Sequence, residues 1–436
     1  MQKKIVIKKI KCIASSMVYI LLFGYHLNTQ AAILIQENTQ QVTQSYVEYK
    51  GIVIGSNTKD HLAFADLTVK GTNIRTVTNS EGEFLIKVPN NLLDKMIVIT
   101  FLGYETKEIP LQELKPKDNI ITLNISITEL SQININAPKD AKALVKAALN
   151  KKRENYYNEQ ALMTAFYRET IKRGKKNASL SEAIVQISKQ PYISSKKDVI
   201  KLIKSRKKTN YSRLDTIALK LQGGPYSTLY SDIVKYPEYI FNEDTFPYYK
   251  FSFEPSTEIN DRQVYVVKFQ QLSNVVSPFY YGKLFIDSET FALTSAVYSL
   301  NVENRKLASA LFVRKKPRKV TVYPLKANYR VDYKTKNGKW YYGYSNIQLA
   351  FKVKWKNKLF GSNYSLNIEM AITDWEKNIT KKFRPKQILK STVILSDEAS
   401  GFSDPKFWGK YNIIEPEKSI ESAIKKIVKQ LKKAKS

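Results

Sequence analysis

The chain has 436 residues but a single cysteine, Cys12, and only two histidines, His26 and His61. One thiol excludes an internal disulfide, and it cannot supply a multi-thiolate zinc site. Two histidines exclude multi-histidine metal sites. A Ser-His-Asp triad would have to use His61, which stands in the turn "TKDHLAF" and reads as a solvated loop residue. Acidic residues are also scarce, 39 against 71 lysines and arginines, so the formal charge is +32 at pH 7. Such a balance favours anionic partners such as acidic lipid head groups, acidic polysaccharide or nucleic acid. The lysines are nevertheless spread along the chain and alternate with apolar residues, as on a solvated strand face. The apolar run Cys12 to Phe23 is too short to span a bilayer comfortably.

What is present at the N-terminus has the order of an export signal. Lys3, Lys4, Lys8, Lys9 and Lys11 precede that apolar run, and Thr29-Gln30-Ala31 ends the segment with a small residue. Residues 1–31 are therefore expected to be a signal peptide cleaved before Ala32, an uncleaved anchor being the alternative. Cys12 lies among the lysines, before most of the apolar run, and is badly placed for a lipid anchor. Removing the five leader lysines lowers +32 to +27 and leaves no thiol and only His61. Export makes nucleic acid the least favoured of the anionic partners.

After the polar lead-in "QENTQQVTQSY", residues 47–128 show short alternating strands at about ten-residue spacing, with turns and no helix between them. In "TNSEGEFLIKVP", Asn79 and Gly82 supply turn chemistry. Phe84, Ile86 and Val88 then fall on one face of a strand, with Glu83 and Lys87 on the other. "MIVITFLGYETKEIPL" reads as one long apolar strand interrupted at Gly103. The pattern predicts a small β-sandwich. Lys70-Gly71-Thr72, Glu81-Gly82-Glu83-Phe84 and Leu102-Gly103-Tyr104 together resemble the carboxypeptidase-regulatory-like domain, a prealbumin-like sandwich. The usual glycine between the second and third strands is replaced by Asn73-Ile74-Arg75, and Ala63 stands where proline is common. The resemblance implies an accessory domain without catalytic residues, one that commonly precedes TonB-dependent transporters and related envelope proteins.

Residues 129–155 read as a linker and a helix, with Ala141, Leu144, Val145, Ala148 and Leu149 at helical spacing from 139 to about 154. Residues 156–400 are dominated by alternating strands with polar turns, among them Asp287-Ser288 and Lys336-Asn337-Gly338-Lys339, and predict a large curved antiparallel sheet. By fold analogy alone it is comparable with the half-barrels of periplasmic lipoprotein carriers. The helix, "NYY", "AFYRE" and the closing "FSDPKFWGKYNIIEPEKSIESAIKKI" resemble exported proteins that place this sandwich before a domain of unknown function. Residues 401–436 end in a basic amphipathic helix. Its stripe of Ile420, Ile424, Ile427, Val428 and Leu431 would either pack on the chain itself or lie on an anionic membrane surface.

No catalytic or metal-binding residue is expected, and the binding residues are not legible. Tyr280-Tyr281 and Trp340-Tyr341-Tyr342 could stack on sugars, but aromatics equally suit half-buried strands. Glu254 with Glu258, or Asp374 with Glu376, could suggest a glycosidase only if paired in space. Gly223-Gly224 in "LQGGPYSTLY" lacks the lysine and hydroxyl of a phosphate loop. The resulting expectation is a mainly β, non-enzymatic, exported protein of the periplasm or outer membrane. It would need no cofactor and act in binding or assembly on a protein partner, without nucleic acid. A carrier of apolar cargo and a carboxylate-dependent hydrolase are the alternatives, and the sandwich is expected to fold separately from the second domain.

Overall fold

The computed structural model describes residues 46–126, 140–209, 222–259, 262–313, 316–377, 382–401 and 407–417. The expected signal peptide, most of the linker and the basic C-terminal helix lie outside the described residues.

Seven short strands form the N-terminal part: β1 (Tyr46–Gly55), β2 (Asp66–Val69), β3 (Arg75–Val77), β4 (Glu83–Pro89), β5 (Met96–Thr100), β6 (Lys107–Pro110) and β7 (Asn119–Leu123). They pair as two sheets, in the orders β4-β1-β7 and β3-β2-β5-β6. Alternation puts Val53, Leu67, Phe84, Ile86, Val88 and Ile97 into one core cluster, each fully buried. The turn before β4 is built as its residues dictate. The Asn79 side chain accepts from the Glu81 and Glu83 amides, both at 2.9 Å, and Gly82 takes φ +72°. One strand expectation is corrected. Met96–Leu111 is not a single long strand, because "FLGY" folds as a turn with Gly103 at φ +80°, and β5 pairs antiparallel with β6.

After helix α1 (Ala141–Asn150), capped by Asp140, and the single turn α2 (Lys152–Asn155), the chain enters one large sheet. Its strands are β8 (Ala161–Arg173), β9 (Lys176–Lys189), β10 (Val199–Thr209), β11 (Tyr249–Ile259), β12 (Arg262–Gln271), β13 (Tyr280–Asp287), β14 (Leu293–Leu300), β15 (Val320–Lys336), β16 (Lys339–Trp355), β17 (Ser362–Lys377) and the two-residue β18 (Ser400–Gly401). The order is β11-β12-β13-β14-β15-β16-β17-β8-β9-β10-β18. All neighbours are antiparallel except β18, which lies parallel to β10. The sheet curves without closing into a barrel. The predicted hairpin turns form, Asn337 and Gly338 taking φ +50° and +72° between β15 and β16.

Period-two alternation gives this sheet two apolar faces. The inner face presents Ala165, Tyr167, Val185, Ile187, Leu366 and Met370 to the main core, which also takes the buried side of α1. Residues 222–249, including the short helix α3 (Pro225–Leu229), bring Tyr226, Leu229, Tyr236, Phe241 and Phe246 into the same core and cover that face. The outer face presents Phe166, Ile184, Tyr344 and Ala371, which pack with Val77 and Leu85 of the sandwich and with Trp408, Ile413 and Ile414. Residues 407–417 are thus a strap held between sandwich and sheet. Among the described residues no helix is long and apolar enough to cross a membrane.

Candidate functional site

The residues singled out in the sequence do not converge. His61 is exposed, and its Nδ1 lies 2.8 Å from the Glu81 carbonyl oxygen, a backbone contact beside the Gly82 turn. Trp340, Tyr341 and Tyr342 are core residues, 3 %, 5 % and 0 % exposed, and offer no face to a sugar. Tyr280 packs edge-on against Tyr298 and Tyr329. Tyr281 is half exposed. Glu254 is ion-paired with Lys283 at 2.5 Å. Asp374 and Glu376 are both exposed, and Asp374 Oδ1 accepts from the Trp375 amide. Gly223 and Gly224 form the turn into α3, where a Cβ on Gly224 would meet Val393 Cγ1 at 3.0 Å. The glycines serve close packing.

Buried charge clusters on the two faces of the sheet were not singled out in the sequence. On the inner face, Lys189 Nζ donates to Asp198 and Asp232 at 2.8 and 2.7 Å. The Tyr236 hydroxyl donates to Asp198 at 2.7 Å, and the Tyr333 hydroxyl to Asp232 at 3.0 Å. Burial would strip the Lys189 charge, but the two aspartates outweigh it and hold the ammonium above its usual range. Burial, reinforced by Asp232, keeps the Tyr333 phenol well above its usual range. The ammonium is therefore a fixed cation, unsuited to act as an amine nucleophile. Asp232 and Tyr236 belong to the covering segment, so this cluster pins residues 222–249 to the sheet.

On the outer face, Arg168 reaches Glu182 at 2.7 Å and Glu369 at 3.3 Å, and donates to the Ile414 and Glu415 carbonyls at 2.7 and 3.3 Å. Arg206 holds the other Glu182 oxygen at 2.7 Å, and its guanidinium lies 4.7 Å from the Trp408 ring. Burial pushes Glu182 up, but Arg168 and Arg206 outweigh it and hold the carboxyl below its usual range. Burial lifts Glu369 to about 7, with Arg168 opposing. A separate carboxyl on the inner face, Glu169, is also lifted by burial to about 7 and accepts from the Tyr167 hydroxyl at 2.9 Å. Glu169 and Glu369 point to opposite faces of neighbouring strands, so they cannot act as an acid–base pair.

The sandwich is fastened through the strap and directly. Thr76 Oγ1 donates to the Ile413 carbonyl at 3.0 Å. Asn412 pairs with the Lys87 backbone, accepting at 2.6 Å and donating at 3.2 Å. Phe64 stacks on Tyr344 with ring centroids 5.6 Å apart. Buried Arg75 bridges to Asp66, which Lys334 of β15 approaches to 3.4 Å. Beside this cluster is a cavity of about 30 Å³, no larger than one water occupies. A second concavity on the sandwich, about 380 Å³, is lined by Lys50, Ile52, Glu83, Lys117 and Ile120 together with Glu415 of the strap. Ile120 is 70 % exposed there.

Comparison with solved structures finds distant likenesses. A DUF1329 family protein from Desulfovibrio piger is 9% identical over 56% of this chain and 96% of its own, with TM-score 0.23. A putative outer membrane lipoprotein-sorting protein domain from Vibrio parahaemolyticus is 11% identical over 56% and 95%, with TM-score 0.25. A LolA superfamily protein from Nitrosomonas europaea is 12% identical over 58% and 99%, with TM-score 0.21. Similarities this distant decide no activity. No curated protein matches the chain. The sandwich is different: residues 49–136 match the CarboxypepD_reg-like domain, and the chain carries that domain ahead of its large β sheet.

Proposed function

We propose that the protein is a non-enzymatic component of the cell envelope that works by binding a protein partner, alongside an outer-membrane TonB-dependent transport system. The observation that carries this reading is the sandwich packed on the sheet through the strap, with a mixed groove at Ile52, Lys117 and Ile120 in which Ile120 is exposed. A groove of that composition offers an apolar centre with a charged rim, the anatomy of a modest protein interface. The buried lysine, arginines and carboxylates support it, because they are matched with one another and hold segments together. In-cell photo-cross-linking from position 120 is the test. It should capture one envelope protein reproducibly, and the yield should fall when Lys117 is changed to Glu. Hydrolytic turnover by the purified protein, lost on His61→Ala, would replace this reading with an enzyme.

One observation favours a second reading, carriage of apolar cargo: the inner face of the sheet is largely apolar and is covered by one stretch, residues 222–249. Cargo would have to displace that cover and break the Lys189 cluster. Mass spectrometry of the purified protein decides between the two, and stoichiometric lipid would establish the carrier.

A further inference from the structure

The pairing of the large sheet brings three basic segments to one end. The β16–β17 turn lies beside the β8–β9 turn, because Tyr364 pairs with Arg173 and the Gly174 amide donates to the Asn363 carbonyl at 3.1 Å. The start of β15 lies on its other side, because Val320 pairs with Trp355 and the Lys356 amide donates to the Lys319 carbonyl at 2.9 Å. At the outermost point of this end, Leu359 and Phe360 are 83 % and 81 % exposed. Lys354, Lys356 and Lys358 lead into the tip and are exposed, as are Arg173, Lys175 and Lys176 on one flank and Arg318 and Lys319 on the other. No aspartate or glutamate occurs in residues 170–181, 304–331 or 347–368. Glu303, exposed before the helix α4 (Arg305–Phe312), is an acidic residue at this end. Helix α4 packs Phe312 against Phe351, ring centroids 5.6 Å apart, and leaves Leu307 and Leu311 partly exposed one turn apart.

We infer that this end of the sheet docks on the surface of an anionic lipid bilayer, with Leu359 and Phe360 inserted at the boundary between head groups and acyl chains. The geometry selects a bilayer over a groove-forming partner. The apolar pair stands exposed at a hairpin tip, and the cations stand back from it along the strands. That is the cross-section of a membrane interface, charge at the level of the phosphates and hydrocarbon below. A polyanion in solution would use the cations but leave Leu359 without a role. The lysines supply attraction that salt screens, and the two apolar side chains supply the part that salt does not. The inference goes beyond the protein-partner reading and uses a different surface. It is also independent of the C-terminal residues 418–436.

The test uses the processed protein isolated from the envelope, sedimented with vesicles of phosphatidylcholine plus phosphatidylglycerol or of phosphatidylcholine alone. Binding to the mixed vesicles and little to the neutral ones is expected. The double variant Leu359→Ser, Phe360→Ser should bind about tenfold more weakly or worse, with an unchanged unfolding midpoint because both side chains are exposed. Lys354→Glu with Lys358→Glu should weaken binding at low salt and make the residual binding less salt-dependent. In Phe360→Trp, the new indole should shift to the blue on adding mixed vesicles. Failure of the parent protein to bind, or equal binding by the Leu359→Ser, Phe360→Ser variant, overturns the inference. So does binding to a soluble acidic polysaccharide that the same double substitution weakens to the same degree.

Discussion

Gly82 shows how much one residue decides. At φ +72°, a side chain is strained, and a Cβ there would meet the Val53 carbonyl oxygen at 3.0 Å and His61 Cβ at 3.1 Å. Gly82→Val should lower the unfolding free energy of the full chain by about 1–3 kcal/mol. An unchanged urea midpoint would show that the turn relaxes. Glu169 carries a pH signature. Its folded-state carboxyl is raised from 4.5 to about 7 by burial, so folding takes up a proton between those values. The contribution is fully present below pH 4.5 and is lost as pH rises through 7, a loss of up to about 3 kcal/mol. Glu169→Gln should therefore gain stability relative to the parent at pH 8 compared with pH 5, and denaturation at both pH values measures it. Equal differences at the two pH values would mean that the carboxyl titrates normally.

At the scale of elements, the strap is where long-range structure is concentrated. Asn412 closes two hydrogen bonds with the Lys87 backbone of β4, and Arg168 caps the Ile414 and Glu415 carbonyls. Asn412→Ala should cost about 1–3 kcal/mol and open residues 407–417 to limited proteolysis. A cleavage pattern identical to the parent's would mean that the apolar contacts of Trp408 and Ile413 suffice. Arg168→Met leaves Glu182 and Glu369 buried with one fewer cation, for an expected loss of about 3–5 kcal/mol. Lys87 belongs to the same junction. The strand pattern places it opposite Phe84 and Ile86, yet it is only 6 % exposed because the strap covers that face. Burial draws its ammonium below the usual range, with Glu48 opposing.

Across the whole molecule, Val77, Leu85, Phe166, Tyr344, Trp408 and Ile414 form one buried cluster shared by sandwich, strap and sheet. Calorimetry of the full chain should give one unfolding transition, and two resolved transitions would show that the sandwich is only loosely docked. One transition would revise the expectation that the sandwich folds separately. Deleting residues 47–128 would bare Phe166 and Tyr344, so loss of function in that deletion would be partly a loss of stability. A groove variant at Ile120 separates the two effects. His61→Ala should complement a deletion strain fully, since the ring contacts only a backbone carbonyl.

Local geometry was legible from the residues alone. Alternation placed Phe84, Ile86 and Val88 on one face, Asn337-Gly338 turned a hairpin, and α1 followed from its apolar spacing, because each depends on residues within a few positions. The sequence also carried a weak trace of the outer cluster: Arg168 shares strand parity with Phe166, and Glu182 with Ile184, so charges of opposite sign stand on an apolar face. What covers each face became visible only in the folded chain. Alternation assigns a side chain to one side of a strand but not to solvent, strap or covering segment. Lys189 meets Asp232, 43 positions away, and Arg168 meets Glu369, 201 positions away. The first contact is set by the covering segment lying on the inner face and the second by β8 pairing with β17, and no local pattern encodes either.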